Sequence, residues 1–280
     1  MRVGVGLLSG VPGAAGSLVL NWARRADDGP LSSLAVIDRM VYDSYEPMAA
    51  LAAAAGITRR VTLATMVLVG PLRNTVLLAK AAASIDALSG GRLVLGLGIG
   101  ARHEDYKVTG VDHRTRGHQL SEQLAALRAH WEDERFGPRP ARPGGPPLLV
   151  GGLNDEAFGR AARYADGYMH GGGPPRAFAR AADRARAAWI DAGRPGRPLL
   201  WGQGYYALGD DAAAAGARYL RDYYAFTGSF AERIVNGLLT TPQAIVQFVR
   251  GYEETGCDDL VLFPTVPDVA QLDRLVEVIG

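Results

Sequence analysis

The stretch LSGGRLVLGLGIGARHEDY, residues 88–106, decides how the rest of the chain is read. Ser89-Gly90-Gly91 ends a helix, because a glycine can take the left-handed conformation that closes the last turn. Arg92 to Ile99 is a short apolar run with glycines at 96, 98 and 100, and a polar run follows at once. A buried parallel strand that ends at a site reads this way, with small residues at its end letting a ligand approach the backbone. Gly96, Gly98 and Ala101 also fit the G-x-G-x-x-A dinucleotide fingerprint. That fingerprint needs its glycines to open a helix and an acidic residue about 20 positions on, at the end of a strand. The next clear helix begins near Arg114 and the region about 20 residues on reads as helical, so the dinucleotide reading is set aside.

Outward from this stretch, strands and helices alternate. Upstream lie strands at Val3 to Leu8, Leu34 to Ile37 and the β-branched Val61 to Val69. Helices separate them: Ser17 to Asp27 with Ser17 as its cap, Glu46-Pro47 to Gly56, and the alanine-rich Thr75 to Leu88. Downstream, Leu120, Leu124, Leu127 and Trp131 recur at helical spacing between Thr115 and Trp131. A proline-rich loop, Phe136 to Pro147, is long enough for a linker, but the same rhythm resumes beyond it. Strands follow at Leu148 to Val150, Gly167 to His170, Leu199 to Leu208 and Leu260 to Phe263. The helices between them run from Asp155 to Tyr164, Arg176 to Asp191, Asp210 or Asp211 to Phe226, and Thr241-Pro242 to Glu254, and Asp268 to Ile279 is the last. Eight strand–helix units in about 250 residues or slightly more are the pattern of an α/β fold of the (β/α)8 TIM-barrel type, here as a single domain over residues 1–280.

Composition narrows the function classes. A net charge of +1 gives no basic excess for nucleic acid. Cys257 is the only cysteine, which excludes an internal disulfide or a cysteine metal cluster and fits a reducing cytoplasm. The apolar run Val3 to Leu8 is too short and glycine-broken for a signal peptide, and no run approaches the ~20 apolar residues of a membrane span. The five histidines show neither H-x-x-x-H nor H-E-x-x-H spacing, so no catalytic metal is expected. Ser9 stands near a strand exit without a G-x-S-x-G elbow, which argues against a serine hydrolase.

Several pieces, taken together, resemble the luciferase-like monooxygenase family. They are Asp38-Arg39, Ala64-Thr65-Met66-Val67, Pro71-Leu72-Arg73-Asn74, Ala79-Lys80 and the block from Leu88 to Gly100. Arg114 to Gly117, Gly151-Gly152, Ala161 to Gly167 and Leu260 to Phe263 extend the likeness over nearly the whole chain. The resemblance implies a barrel that binds coenzyme F420 or FMN at the C-terminal ends of its strands and acts on a small organic molecule. F420 users transfer hydride, and FMN users monooxygenate with O2. Asp38 and the compact form favour F420, with FMN as the alternative and a non-catalytic flavin-binding barrel as a second one. Neither nucleic acid nor a membrane is an expected partner; a homodimer is compatible with the sequence.

Barrel geometry puts the site on the strand-to-helix loops. Asp38 can accept hydrogen bonds from ring or substrate, or pair with a neighbouring loop residue. Arg39 replaces the histidine that often follows this aspartate in F420 users, and a guanidinium suits anion binding better than acid–base work. His103, Glu104 and Tyr106 are candidate substrate or relay groups, and His170 ends its strand pointing into the site, whereas His113 and His118 read as structural. Gly98, Gly100, Gly151-Gly152 and Gly171-Gly172-Gly173 are candidate cofactor contacts, the last two groups as a cradle for the anionic tail, unless they are plain turn glycines. Arg116, with Arg114 as fallback, lies where the resemblance places a phosphate-contacting arginine. The family's F420-dependent sugar-phosphate dehydrogenases carry a glutamate at the position of Ala101, so that activity is not expected. The resemblance also implies that Thr65, Met66 and Val67 back the cofactor ring through an irregular strand convex toward the mouth, often with a cis peptide.

Overall fold

Parallel strands covered on both faces bury every residue, and the strands of this chain do so almost throughout. The computed structural model describes residues 1–280. Its strands are β1 (Arg2–Gly6), β2 (Ser33–Val36), β3 (Thr62–Thr65), β4 (Leu68–Val69), β5 (Leu93–Gly98), β6 (Leu148–Gly151), β7 (Gly167–Met169), β8 (Leu199–Tyr206) and β9 (Asp259–Pro264). All neighbours pair in parallel in the order β3-β2-β1-β9-β8-β7-β6-β5-β4, and β3 also pairs with β5, which closes the sheet. β3 and β4 are two halves of one strand, so the nine segments make the eight-stranded barrel that the alternation predicts.

Local chemistry explains most helix ends. Asn74 accepts from the Val76 and Leu77 amides to start the helix Thr75–Ser89, and Gly90, at φ 68°, stops it before β5. Glu46 and Pro47 open Pro47–Ile57, and Thr241 caps Pro242–Glu254. Other ends differ from the sequence reading. Ser17 lies inside the helix Gly16–Asp28, whose cap position is Ala15, and Gly56 lies inside its helix, which ends at Thr58. The run expected as one helix to Phe226 divides into Ala212–Tyr223 and Ala225–Thr227, and a further short helix, Phe230–Val235, follows it. Gly228, at φ 60°, turns the chain between the last two. A short helix, His103–Thr109, follows β5 where a loop was expected. The proline-rich loop lies against the barrel. Its Ala141 amide donates to Asp86 (2.8 Å), and Gly145 sits where a Cβ would come within 2.1 Å of the Trp131 ring. No helix is long and apolar enough to cross a membrane.

Candidate functional site

The third strand breaks between Thr65 and Leu68, and its Met66–Val67 peptide is cis. Thr65 bridges the break to β5: its hydroxyl donates to the Gly96 carbonyl (2.7 Å) and accepts from the Gly96 amide (2.9 Å). Thr65 is therefore fully buried and lies behind the cleft that Met66 and Val67 line. The Val67 methyls fill the space in front of two glycines. A Cβ at Gly98 would lie 2.6 Å from one, and a Cβ at Gly151 would lie 2.9 Å from the other. Gly96 is closed off in the same way by the Thr65 carbonyl and the Met169 sulfur, and Gly100, at φ 65°, by Val69. The glycines of β5 thus admit the neighbouring strands, which corrects the expectation that they clear a path for a ligand. Gly98 and Gly100 still edge the cleft.

That cleft, about 660 Å³, opens at the C-terminal ends of the strands. Met66 and Val67 form its back, and Gly151, Gly152 and Gly171 one side. A Cβ at Gly171 would meet nothing within 4 Å, so this wall is open. Gly172 (φ 98°) and Gly173 (φ 121°) carry the chain from there to the helix Pro175–Asp191. Gln203 of β8 also lines the cleft and donates to the Gly171 carbonyl (3.1 Å).

One end of the cleft is basic, formed by His103, His113, Arg116 and Arg160. The two imidazoles stack with centroids 3.7 Å apart. Arg116 donates through Nη1 to the His113 carbonyl (2.6 Å), while Arg116 Nε and His113 Nε2 are buried without partners. Arg160 is held by Ser121 Oγ (3.0 Å) and the Gly117 carbonyl (3.2 Å). Arg116 is the first residue of the helix Arg116–Glu132, where a cation opposes the helix dipole; an anion docked there would reverse that penalty. The helix Asp155–Tyr164 already has Asp155 and Glu156 in its first turn, so its positive end is neutralised and the arginines are the stronger anion site. His113 is thus a cleft residue, not the purely structural one its sequence position indicated. Arg160, Asn154 and Gln203 were not picked out from sequence. Helical and strand spacing placed their elements but did not show which side chains turn toward the mouth.

His170, just past β7, is 3% exposed and lines the cleft. Tyr168 donates its hydroxyl to the Gly152 carbonyl (2.7 Å) and lies 3.3 Å from His170 Nδ1. With that hydroxyl proton engaged, its oxygen faces an Nδ1–H, which leaves Nε2, buried and unpartnered, as a lone-pair acceptor. Burial lowers the imidazole pKa to about 4, so it is neutral near pH 7.

The remaining candidates lie outside the cleft lining. Asp38 is buried and binds Arg73 at both oxygens (2.6 and 3.1 Å), 35 residues away, rather than an adjacent loop residue. It also accepts from the Val69 amide (2.8 Å), tying down the second half of the broken strand. Arg39 donates to the Tyr223 carbonyl (3.0 Å) and stacks over Tyr42. Glu104 is exposed on the short helix; its neighbour Asp105 is buried and accepts from the Met40 and Val41 amides.

The sequence model of the luciferase-like monooxygenases matches residues 1–256. An uncharacterized protein of Mycobacterium tuberculosis is 37% identical over 157 residues, covering 51% of this chain and 54% of that protein. The chain thus matches about half the length of the first curated relatives. Among solved structures, an F420-dependent secondary alcohol dehydrogenase in complex with an F420–acetone adduct has a TM-score of 0.83 at 18% identity, with 99% of this chain and 98% of that one covered. The oxygenating constituent of 3,6-diketocamphane monooxygenase from Pseudomonas putida, in complex with FMN, has a TM-score of 0.78 at 18% identity, covering 100% and 96%. At such identities the two structures establish a shared fold.

Proposed function

The chain belongs to the luciferase-like monooxygenase family, and from that premise we propose that it is an F420-dependent oxidoreductase moving hydride between the coenzyme and a small organic substrate. The observation that carries this reading is a cleft with an apolar back at Met66–Val67, an open glycine wall and a cationic end with unpartnered donors. A flat ring with an anionic tail suits that combination. The open face at Gly171 leaves room beside the backbone, and Arg116 Nε has no acceptor within the protein. The bound deazaflavin supplies the hydride chemistry.

The chain's own residues do the positioning. Met66 and Val67 offer the ring a surface, and Asp38 with Thr65 fixes the two strand halves that present it. Gly151, Gly152 and Gly171 to Gly173 form the side wall and its turn, while Gly98 and Gly100 form the rim. Arg116 and Arg160 neutralise the phosphate, and His103 with His113 closes that end. His170, neutral and with a free Nε2, accepts a hydrogen bond from ring or substrate. Glu104, exposed on the rim, has no contact that assigns it a step.

FMN with O2 is the second reading, for a specific reason. Asp38, whose position favoured the deazaflavin, binds Arg73 with both oxygens, and the basic end suits either cofactor's phosphate. Fluorescence titration with F420 and with FMN tests the order: tighter F420 binding is expected, and tighter FMN binding reverses it. Arg116→Ala should weaken the preferred cofactor by ~1.5–3 kcal/mol, the worth of a charge-assisted hydrogen bond. Riboflavin, which lacks the phosphate, should bind the variant and the wild type alike. An equal loss for riboflavin would show that Arg116 does not serve the phosphate. Oxidation of reduced cofactor by any acceptor separates an enzyme from a carrier.

A further inference from the structure

A second cationic pair, Arg39 and Arg102, stands at the same mouth but outside the cleft. Arg39 follows β2 and Arg102 follows β5, between Ala101 and His103 of the cleft lining. Both guanidiniums face the ring of Tyr223, at 5.3 and 4.7 Å from its centroid. Arg39 also stacks over Tyr42 (4.2 Å) and Arg102 over Phe226 (4.6 Å).

Arg39 pairs with no carboxylate, and Arg102 with one only at long range. The side chain of Arg102 is 10% exposed; it donates to the Asp38 carbonyl (3.4 Å) and forms a long ion pair with Asp105 Oδ2 (3.7 Å). The other oxygen of Asp105, Oδ1, accepts from two backbone amides. The contacts of Arg39 are a carbonyl and two rings, and the nearby acid Asp222 accepts instead from Tyr42 (2.6 Å). Asp38, next in sequence to Arg39, is bound to Arg73. Nε of both arginines is buried with no acceptor. Two neighbouring guanidiniums whose Nε donors meet no acceptor are a receptor for an anion, because the guanidinium fork matches a carboxylate.

We infer that Arg39 and Arg102 form a substrate subsite for an organic carboxylate with an apolar body. The rings of Tyr42 and Phe226 take the body and the two guanidiniums take the carboxylate. Tyr223 is buried, whereas Phe226 is 42% exposed, so entry is past Phe226. The inference deepens the proposed function by naming the substrate class, and it rests on that reading for the word substrate; the anion site itself does not.

Benzoate is a suitable probe, with benzamide as its neutral counterpart, measured by calorimetry on the full chain with and without cofactor. Benzoate should bind in both states, and benzamide at least tenfold more weakly. Arg39→Met and Arg102→Met should each weaken benzoate tenfold or more, and Phe226→Ala, which leaves both arginines in place but removes an apolar wall, should weaken it severalfold. Arg116→Ala should leave benzoate unchanged. Benzamide binding as well as benzoate, or benzoate binding that is indifferent to both arginine substitutions, would overturn the inference. If either arginine variant loses F420 or FMN affinity tenfold, the pair serves the cofactor's anionic tail and the substrate assignment is overturned. Failure of both cofactors to bind, with benzoate selectivity intact, would refute the proposed function and leave the anion site standing.

Discussion

Gly98→Ala places a methyl group 2.6 Å from Val67 Cγ2, a separation that real Cβ atoms do not show, so one of the two must move. Val67 has little freedom to do so. It is β-branched and therefore stiff at χ1, and its other methyl already lies over Gly151. Overpacking of this kind costs ~1–3 kcal/mol, and replacing glycine in a strand returns ~0.5–1 kcal/mol. A net loss of about 1–2 kcal/mol is expected, read as a lower urea midpoint at unchanged slope. Val67→Ala in the same chain removes the offending methyls, so the double variant should recover at least ~1 kcal/mol relative to the sum of the singles. Gly96→Ala is the control. Its methyl would meet the Thr65 carbonyl at 2.1 Å and the Met169 sulfur at 2.3 Å, neither of which Val67→Ala relieves. A neutral Gly98→Ala, or equal relief of both glycine variants by Val67→Ala, would refute the view that these glycines exist to admit the third strand.

Two further outcomes follow from the buried charges around the mouth. Asp38→Asn keeps the volume but leaves Arg73 only the half-exposed Glu46 at 3.0 Å; since breaking a buried pair costs ~3–5 kcal/mol, chemical denaturation should show about 3 kcal/mol lost, and a loss below about 1 kcal/mol would rule out the pair as the anchor of the broken strand. His170 titrates near 4 in the fold against an ordinary value of 6.5, so the unfolded chain binds the extra proton first as pH falls. Its contribution is present above about pH 6.5 and is lost toward pH 4, by up to ~3 kcal/mol, and His170→Gln should flatten that part of the stability–pH curve; an unchanged slope would mean the imidazole is solvated.

What the sequence disclosed and what it concealed divide along the range of the interactions involved. The barrel was legible because its signals are local: fully apolar strands, Pro47 opening one helix and Gly90 closing another. The break at Met66–Val67 was legible only through the family likeness, since no local spacing announces it. The roles of Gly98 and Asp38 were not legible, because Val67 and Arg73 lie about 30 or more residues from them and only the closed sheet brings them together. The seven-residue helix His103–Thr109 is too short to show a period, and its presence turns Glu104 outward while the stack with His113 forms. The three-residue turn Ala225–Thr227 that carries Phe226 over Arg102 is likewise too short to show a period.

The cationic residues share one logic with those glycines. Arg116 stands at a helix start, where a cation opposes the dipole, and Arg39 and Arg102 lie over aromatic rings with Nε donors that meet no acceptor. A fold that keeps donors such as Arg116 Nε, Arg39 Nε and Arg102 Nε without internal acceptors is less stable by itself than one that pairs them. An anionic ligand would offset that deficit. Arg102 stands next to the cleft residue His103, so the two cationic groups adjoin at one mouth. On the function proposed above, a cofactor phosphate would answer the first group and a substrate carboxylate the second.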